Sequence, residues 1–246
     1  MSESSRPQPV PPPDMREQGA PVERKAQFLD RRLYVQLLAF TDVPDPQEIV
    51  SRLALTEIEA VVYANISDPK GVGIAFLAED PATFIEPLRE FMREALSKVT
   101  PVPELTMIGR TYGTGREPEL EDWLLHRPRQ RITDPTRPWA IWYPLRRRPE
   151  FYRFDHRERG GMMAEHGMLG RSYGDAGLAQ DIRLKCFGLD RNDNEFLIGL
   201  VGADLNPLSR LVEDMRGTRQ TAEYMDNLGP FFVGHRIGAV NVVNAW

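Results

Sequence analysis

The sequence predicts an α+β fold: two tandem ferredoxin-like (β-α-β-β-α-β) units forming a dimeric α+β barrel-like subunit. Three observations carry this. Strand-like and helix-like runs follow the order β-α-β-β-α-β twice. Two helical segments in corresponding places are alike: AEDPATFIEPLREFM and GADLNPLSRLVEDM superpose without a gap from Asp80 and Asp204, matching Phe84 with Leu208, Leu88 with Val212 and Phe91 with Met215. The composition, 41% hydrophobic and 27% charged over 246 residues, suffices for a sizeable core.

Residues 1–27 are rich in proline, serine and charge and poor in aromatics, which predicts a disordered tail; the alternative is a proline-rich ligand or an arm around a neighbouring subunit. The first repeat spans 28–115. RLYVQLLAF is a strand, broken by TDVPDP; QEIVSRLAL gives one or two helical turns; IEAVVYANI and VGIAFLAED are strands about the turn SDPKG. In PATFIEPLREFMREALSKV, Phe84, Leu88, Phe91 and Ala95 recur at helical spacing, and ELTMIGRTYG closes the unit as a strand. Residues 116–138 read as a charged connector with one helical turn. The second repeat spans 139–246: strand WAIWYPL, a helix from Arg157 to Tyr173, strands DIRLKCFGL and EFLIGLVGA about DRNDN, helix NPLSRLVEDMRGT and strand PFFVGHRIG. Two such units either lay their sheets face to face or join edges into a barrel. A gap between a sheet and its helix pair is a natural small-molecule site, and open edges favour oligomers.

A net charge of −5 provides no basic field for nucleic acid, and the N-terminal stretch contains no apolar run that could serve as a leader or membrane span. The single cysteine, Cys186, suits a small apolar filler in a strand and a reducing compartment, which points to the cytoplasm.

Chemistry concentrates around His166 in MMAEHGMLGRSYGD. Of four histidines, only this one is flanked by methionine and leucine. Met162, His166, Leu169 and Tyr173 share a helix face, so the imidazole points inward. Gly160, Gly161, Gly167 and Gly170 each weaken the helix by up to about 1 kcal/mol relative to alanine, which suggests close approach of something bulky or planar. Two readings stand: a core histidine bonded to a neighbour, or a haem ligand, since haem iron often needs one proximal imidazole whereas zinc wants three or four ligands.

Four segments in order, WYPLRRR, MMAEHGMLGRSY, CFGLDRNDNEFLIGL and LVEDMRGTRQTAEYMDNLGPFFVG, resemble the chlorite dismutase-like haem protein family, which includes the coproheme decarboxylases of bacterial haem biosynthesis. The similarity is clear over 139–238 and faint over 30–115. The resemblance implies two ferredoxin-like halves, a homo-oligomeric ring, commonly a pentamer, and haem b or coproheme as cofactor. It makes His166 the proximal ligand of the iron and Tyr143 the redox-active residue toward a propionate. Arg147 stands where many members carry a lysine; it can hold a carboxylate bidentately but does not readily yield a proton. Met163 and Leu169, on the histidine segment, join the porphyrin contacts. The distal residue stays open among Gln180, Asp181 and Arg183. A carboxylate from the following helix usually orients the histidine; near that place this chain offers Gln220 and Glu223. The implied activity is peroxide-dependent decarboxylation of coproheme to haem b; the alternatives are a haem peroxidase or an enzyme degrading a small oxyanion such as chlorite, and a non-enzymatic scaffold or sensor.

Overall fold

In a computed structural model, which describes residues 12–243, the second repeat folds back on the first to close a barrel. The elements run β1 (Glu17–Val22), β2 (Lys25–Leu29), β3 (Tyr34–Thr41), α1 (Pro46–Leu53), β4 (Glu59–Asn65), β5 (Val72–Ala78), α2 (Glu86–Ala95), β6 (Thr100–Pro101) and β7 (Met107–Arg110). They continue through α3 (Arg127–Thr133), β8 (Trp139–Arg147), α4 (His156–Asp175), β9 (Gln180–Lys185), β10 (Phe196–Gly202), α5 (Leu205–Arg216), α6 (Arg219–Tyr224), β11 (Met225–Leu228) and β12 (Phe232–Val240).

Each half has the ferredoxin-like strand order, β7-β3-β5-β4 in the first and β12-β8-β10-β9 in the second. The halves meet edge to edge, not face to face. The β4–β12 seam is paired from Gly234↔Asn65 to Val240↔Ala60, whereas the β7–β9 seam rests on Arg110↔Lys185 alone. Closure hides the strand edges that two open sheets would expose.

Alternation along each strand explains the layers. Val35, Leu37 and Ala39 of β3, Val61 and Tyr63 of β4, and Ala140 and Trp142 of β8 point into the barrel and form one core. Two glycines leave room for its largest rings: a Cβ on Gly73 would lie 2.3 Å from Phe232 Cζ, and one on Gly199 2.6 Å from Trp142 Cζ3. The intervening residues face outward. Phe40, Val62, Ile74 and Phe76 pack beneath α1 and α2, while Ile141, Tyr143, Phe196 and Leu200 lie beneath α4 and α5.

Three segments differ from the sequence reading. Residues 17–27, read as disordered tail, belong to the β1–β2 hairpin, which pairs Glu17 with Leu29. Gln27 Nε2 donates to the carbonyls of Ala20 (2.6 Å) and Pro118 (2.8 Å), and the Glu17 carboxylate accepts from Arg110 (2.8 Å). Composition missed these partners because they are distant in sequence; residues 1–11 lie outside the described ones. The connector is more than one helical turn: a π-helical stretch, Asp122–His126, runs into α3 and delivers Leu124, Leu125 and Ile132 to the barrel core. Finally, α6 and β11 follow α5, where no element was expected; β11 lies along β8 with Met225 opposite Arg147.

Candidate functional site

α4 begins at the Asp155 N-cap, whose carboxylate accepts from the amides of Arg157 and Glu158, and ends at Ala176, before Gly177 at φ +70°. Over twenty residues only Met162 is buried. The helix therefore stands off the sheet, and a cavity of about 660 Å3, open to solvent on one side, remains beneath it. Its walls come from β8 (Tyr143, Leu145), β9 (Asp181, Arg183), α4 (His166, Gly170) and α5 (Leu211, Met215).

His166 reaches this cavity half-buried, and its Nδ1 lies 3.2 Å from Thr218 Oγ1. The Thr218 hydroxyl gives its one proton to the Met215 carbonyl at 2.8 Å. It is thereby left to accept from Nδ1–H, which assigns the tautomer with a free lone pair on Nε2. Burial first, and then the cations Arg147 and Arg183, push the imidazole pKa down to about 4, so the lone pair is available at neutral pH. Thr218 is the N-cap residue of α6, and α4 fixes that helix start a second time through Glu165, which accepts from the Arg219 amide at 3.1 Å.

Tyr143 stacks on Phe231, with ring centroids 4.7 Å apart. Burial, and then the Asp181 charge, hold its phenol well above the ordinary pKa, so it keeps its proton. Pairing places it in one row with Arg183, since Ile198 of β10 is opposite both. Arg183 is exposed at the cavity wall, its Nε 2.9 Å from Asp181 Oδ2.

Arg147 is four residues further along β8, on Tyr143's side. Its guanidinium lies between the rings of Phe151 (4.7 Å) and Phe196 (4.6 Å). Its Nη1 is 3.5 Å from the Tyr152 hydroxyl and its Nη2 3.8 Å from Met163 Sδ; Nε is buried with no hydrogen-bond partner, and no carboxylate pairs with it among the described residues. The nearby Glu195 carboxylate is occupied by the Tyr152 hydroxyl at 2.7 Å.

The structure thus gathers His166, Tyr143, Asp181 and Arg183 around one space, with Arg147 close enough to act on the His166 charge. It leaves other expected residues outside. Gln180 turns away and donates to the Gly174 carbonyl at 3.0 Å, because alternation along β9 sends it to the opposite face from Asp181. Leu169 does not line the cavity, and Met163, 38% exposed, touches Arg147 instead. Gln220 is buried, with Oε1 unpartnered, but it is Thr218 that meets Nδ1; Glu223 is exposed and pairs with Arg219 at 3.2 Å. No sequence signal singled out Thr218: it precedes α6, a helix the sequence reading did not contain, and its side chain makes no cap hydrogen bond there. Of the four glycines, only Gly170 borders the cavity; a Cβ on Gly160, Gly161 or Gly167 meets nothing within 4 Å in this chain.

Among the described residues no three histidine, cysteine or acidic side chains converge as metal ligands. A lone neutral imidazole over an apolar cavity fits a metal that brings its other donors with it, as a porphyrin does. The unpaired Arg147, with its orphan buried Nε, fits a carboxylate at the rim. No described helix is long and apolar enough to cross a membrane.

The family model described as chlorite dismutase matches residues 47–237. A coproheme decarboxylase of Staphylococcus carnosus (strain TM300) is 34% identical over 101 residues, which cover 39% of this chain and 39% of that protein, so the match spans about two fifths of the relative. Among solved structures, a heme-binding protein from Thermus thermophilus superposes with a TM-score of 0.68 at 19% identity, covering 85% of this chain and 92% of that one. A mutant chlorite dismutase from Candidatus Nitrospira defluvii gives a TM-score of 0.66 at 16% identity, with 85% and 92% covered. With the family model spanning most of the sequence and the same α+β architecture in these structures, this chain belongs to the chlorite dismutase family of haem-binding proteins.

Proposed function

We propose that this protein binds coproheme through His166 and decarboxylates it oxidatively to haem b with hydrogen peroxide. The observation that carries the reading is a buried, protonated phenol, Tyr143, on the cavity wall, with a carboxylate-free arginine, Arg147, four residues further along the same strand and on the same side of it. The bound iron porphyrin would supply the oxidising power drawn from peroxide. In the overall change each reacting propionate loses carbon dioxide, one proton and two electrons to become a vinyl group, and the electrons reduce peroxide to water.

His166 would hold the iron through Nε2, kept neutral and oriented by Thr218. Because the orienting partner is a hydroxyl and not a carboxylate, the imidazole has little imidazolate character. Arg147 would grip a propionate with its fork of donors, fixing it toward Tyr143; it is not a proton donor. When Tyr143 is oxidised it must release its phenolic proton, and Asp181 is the carboxylate on the same wall that its titration senses. Leu145, Leu200 and Leu211 exclude water from the space between. The cytoplasm as site of action and a closed homo-oligomer, a pentamer by family resemblance, belong to the same reading; light scattering gives the subunit number.

The test is direct. Purified protein titrated with coproheme should give a five-coordinate histidine spectrum, lost in His166→Ala, and peroxide should then convert the porphyrin to haem b with mass loss of carbon dioxide. Coproheme bound normally but unchanged in mass after peroxide overturns the reaction. A second reading, a haem peroxidase or chlorite-degrading enzyme, draws on Arg183, whose cation on the cavity wall would attract a small oxyanion. Oxygen released from chlorite by the haem b-loaded protein decides for it.

A further inference from the structure

Beside the large cavity lies a small cleft, open to solvent, that the proposed reaction does not use. It opens where the β7–β9 seam is thin, with Arg110↔Lys185 as its single paired position. Trp123, Arg127 and Arg131 recur every four residues along the connector helix and line the cleft opposite Asp181 and Arg183 of β9. The guanidinium of Arg127 lies 5.5 Å, and that of Arg183 5.1 Å, from the Trp123 ring centre.

The charges do not balance. Both Nε and Nη2 of Arg127 donate to Asp122 Oδ2, at 3.0 and 2.6 Å. Asp181 alone serves the other two arginines: Arg131 Nη1 is 2.6 Å from its carbonyl and 3.2 Å from Oδ1, and Arg183 Nε is 2.9 Å from Oδ2. Three guanidinium groups thus meet two carboxylates. Among the described residues, Nε and Nη2 of Arg131 and both terminal nitrogens of Arg183 form no hydrogen bond. Burial, and the repulsion of Arg127, Arg183 and Arg137, lower the Arg131 pKa despite Asp181, the mark of a cation short of counter-charge.

We infer that this cleft binds a small free anion of the carboxylate or oxyanion class, held by Arg131 and Arg183 beside the Trp123 ring. Such an anion supplies the missing charge and accepts from the idle donors. Asp181 and Arg183 also line the large cavity, so an anion here competes with Asp181 for Arg183 and changes the charge facing that cavity. The inference rests on the cleft alone and stands or falls without any porphyrin.

The test titrates the full chain, porphyrin-free, with sodium formate, against sodium chloride at equal ionic strength, by calorimetry and tryptophan emission. Formate should bind saturably, with an emission change that disappears in Trp123→Phe while the calorimetric saturation remains. Arg131→Gln should weaken binding about tenfold or more, as loss of a charge-assisted donor set predicts. Arg93→Gln, an exposed arginine on α2 outside the cleft, should leave it within about twofold. Four results overturn the proposal: no saturation over chloride; saturation undiminished in Arg131→Gln; an emission change that persists in Trp123→Phe, which decides the matter even if Arg131→Gln does not fold; or stoichiometric release of formate on adding coproheme, which would make the cleft part of the porphyrin site.

Discussion

The two halves of the barrel share a strand plan, yet one is closed and the other hollow. Pairing registers align them residue by residue. With Ile74 matched to Ile198, as Asp80 is to Asp204, Leu38, Ile74 and Val62 form a row across β3, β5 and β4 in the first half, and Tyr143, Ile198 and Arg183 form the same row across β8, β10 and β9 in the second. Over the first row sits α1, eight residues long, with Ile49 and Leu53 buried against the sheet, and Phe40, Phe76 and Phe91 fill the gap. Over the second sits α4, twenty residues long with one buried residue, and a cavity of about 660 Å3 remains. The hollow half thus differs from the filled one by a longer helix and by a tyrosine and an arginine where the first half has leucine and valine in the row beneath it.

The largest expected difference between the halves is in stability. Phe40→Ala should cost about 3–5 kcal/mol, because it empties a filled core, while Tyr143→Phe should cost less than about 1 kcal/mol, since the phenol hydroxyl has no hydrogen-bond partner among the described residues. Urea denaturation of both variants measures the pair; equal costs would mean that the second half is packed as tightly as the first.

Acid should reveal the hollow half next. His166 has a pKa of about 4 in the folded chain against an ordinary 6.5. Above 6.5 it is neutral in both states and contributes no pH dependence. Between 6.5 and 4 the unfolded chain binds the proton and the folded chain does not, so stability falls as pH falls, by about 2 kcal/mol from pH 7 to pH 5. His166→Gln should lack that share of the loss; an unchanged pH slope in the variant would show that the imidazole is not held neutral.

Thr218→Val removes the acceptor of Nδ1–H and should weaken porphyrin affinity about 10–100-fold, with the ligand spectrum retained. An affinity equal to wild type would show that Thr218 does not orient the imidazole. The smallest contrast concerns what the halves have in common. Gly73→Ala and Gly199→Ala should each destabilise by about 1–3 kcal/mol, because each Cβ meets an aromatic ring inside the shared barrel. Thermal melts that differ widely between these two would break the equivalence of the halves.

Legibility in the sequence followed distance along the chain. The α5 segment and its match in α2 were readable because helical periodicity is local, and Tyr143 and His166 were singled out because they stand in the segments that carry the resemblance, whereas the sequence left Gln180, Asp181 and Arg183 as alternatives that only the direction of each side chain on β9 could separate. Thr218 was not, because its role depends on α6 lying beside α4, a contact between residues 52 apart. Gln220 was a near miss of the same kind: the right segment, but a side chain turned elsewhere. The β1–β2 hairpin was hidden in a proline-rich stretch because its partners, Arg110, Glu117 and Pro118, lie some ninety residues away.

By itself, then, the sequence determined the doubled strand-and-helix order, the apolar alternation that divides barrel interior from outer faces, and an inward histidine with a tyrosine upstream. Only the tertiary structure decided that the halves join at their edges, that α4 stands clear of its sheet, and that a threonine hydroxyl frees Nε2. Periodicity is set by neighbours in sequence, whereas seams, cavities and tautomers are set by groups that meet only once the barrel has closed.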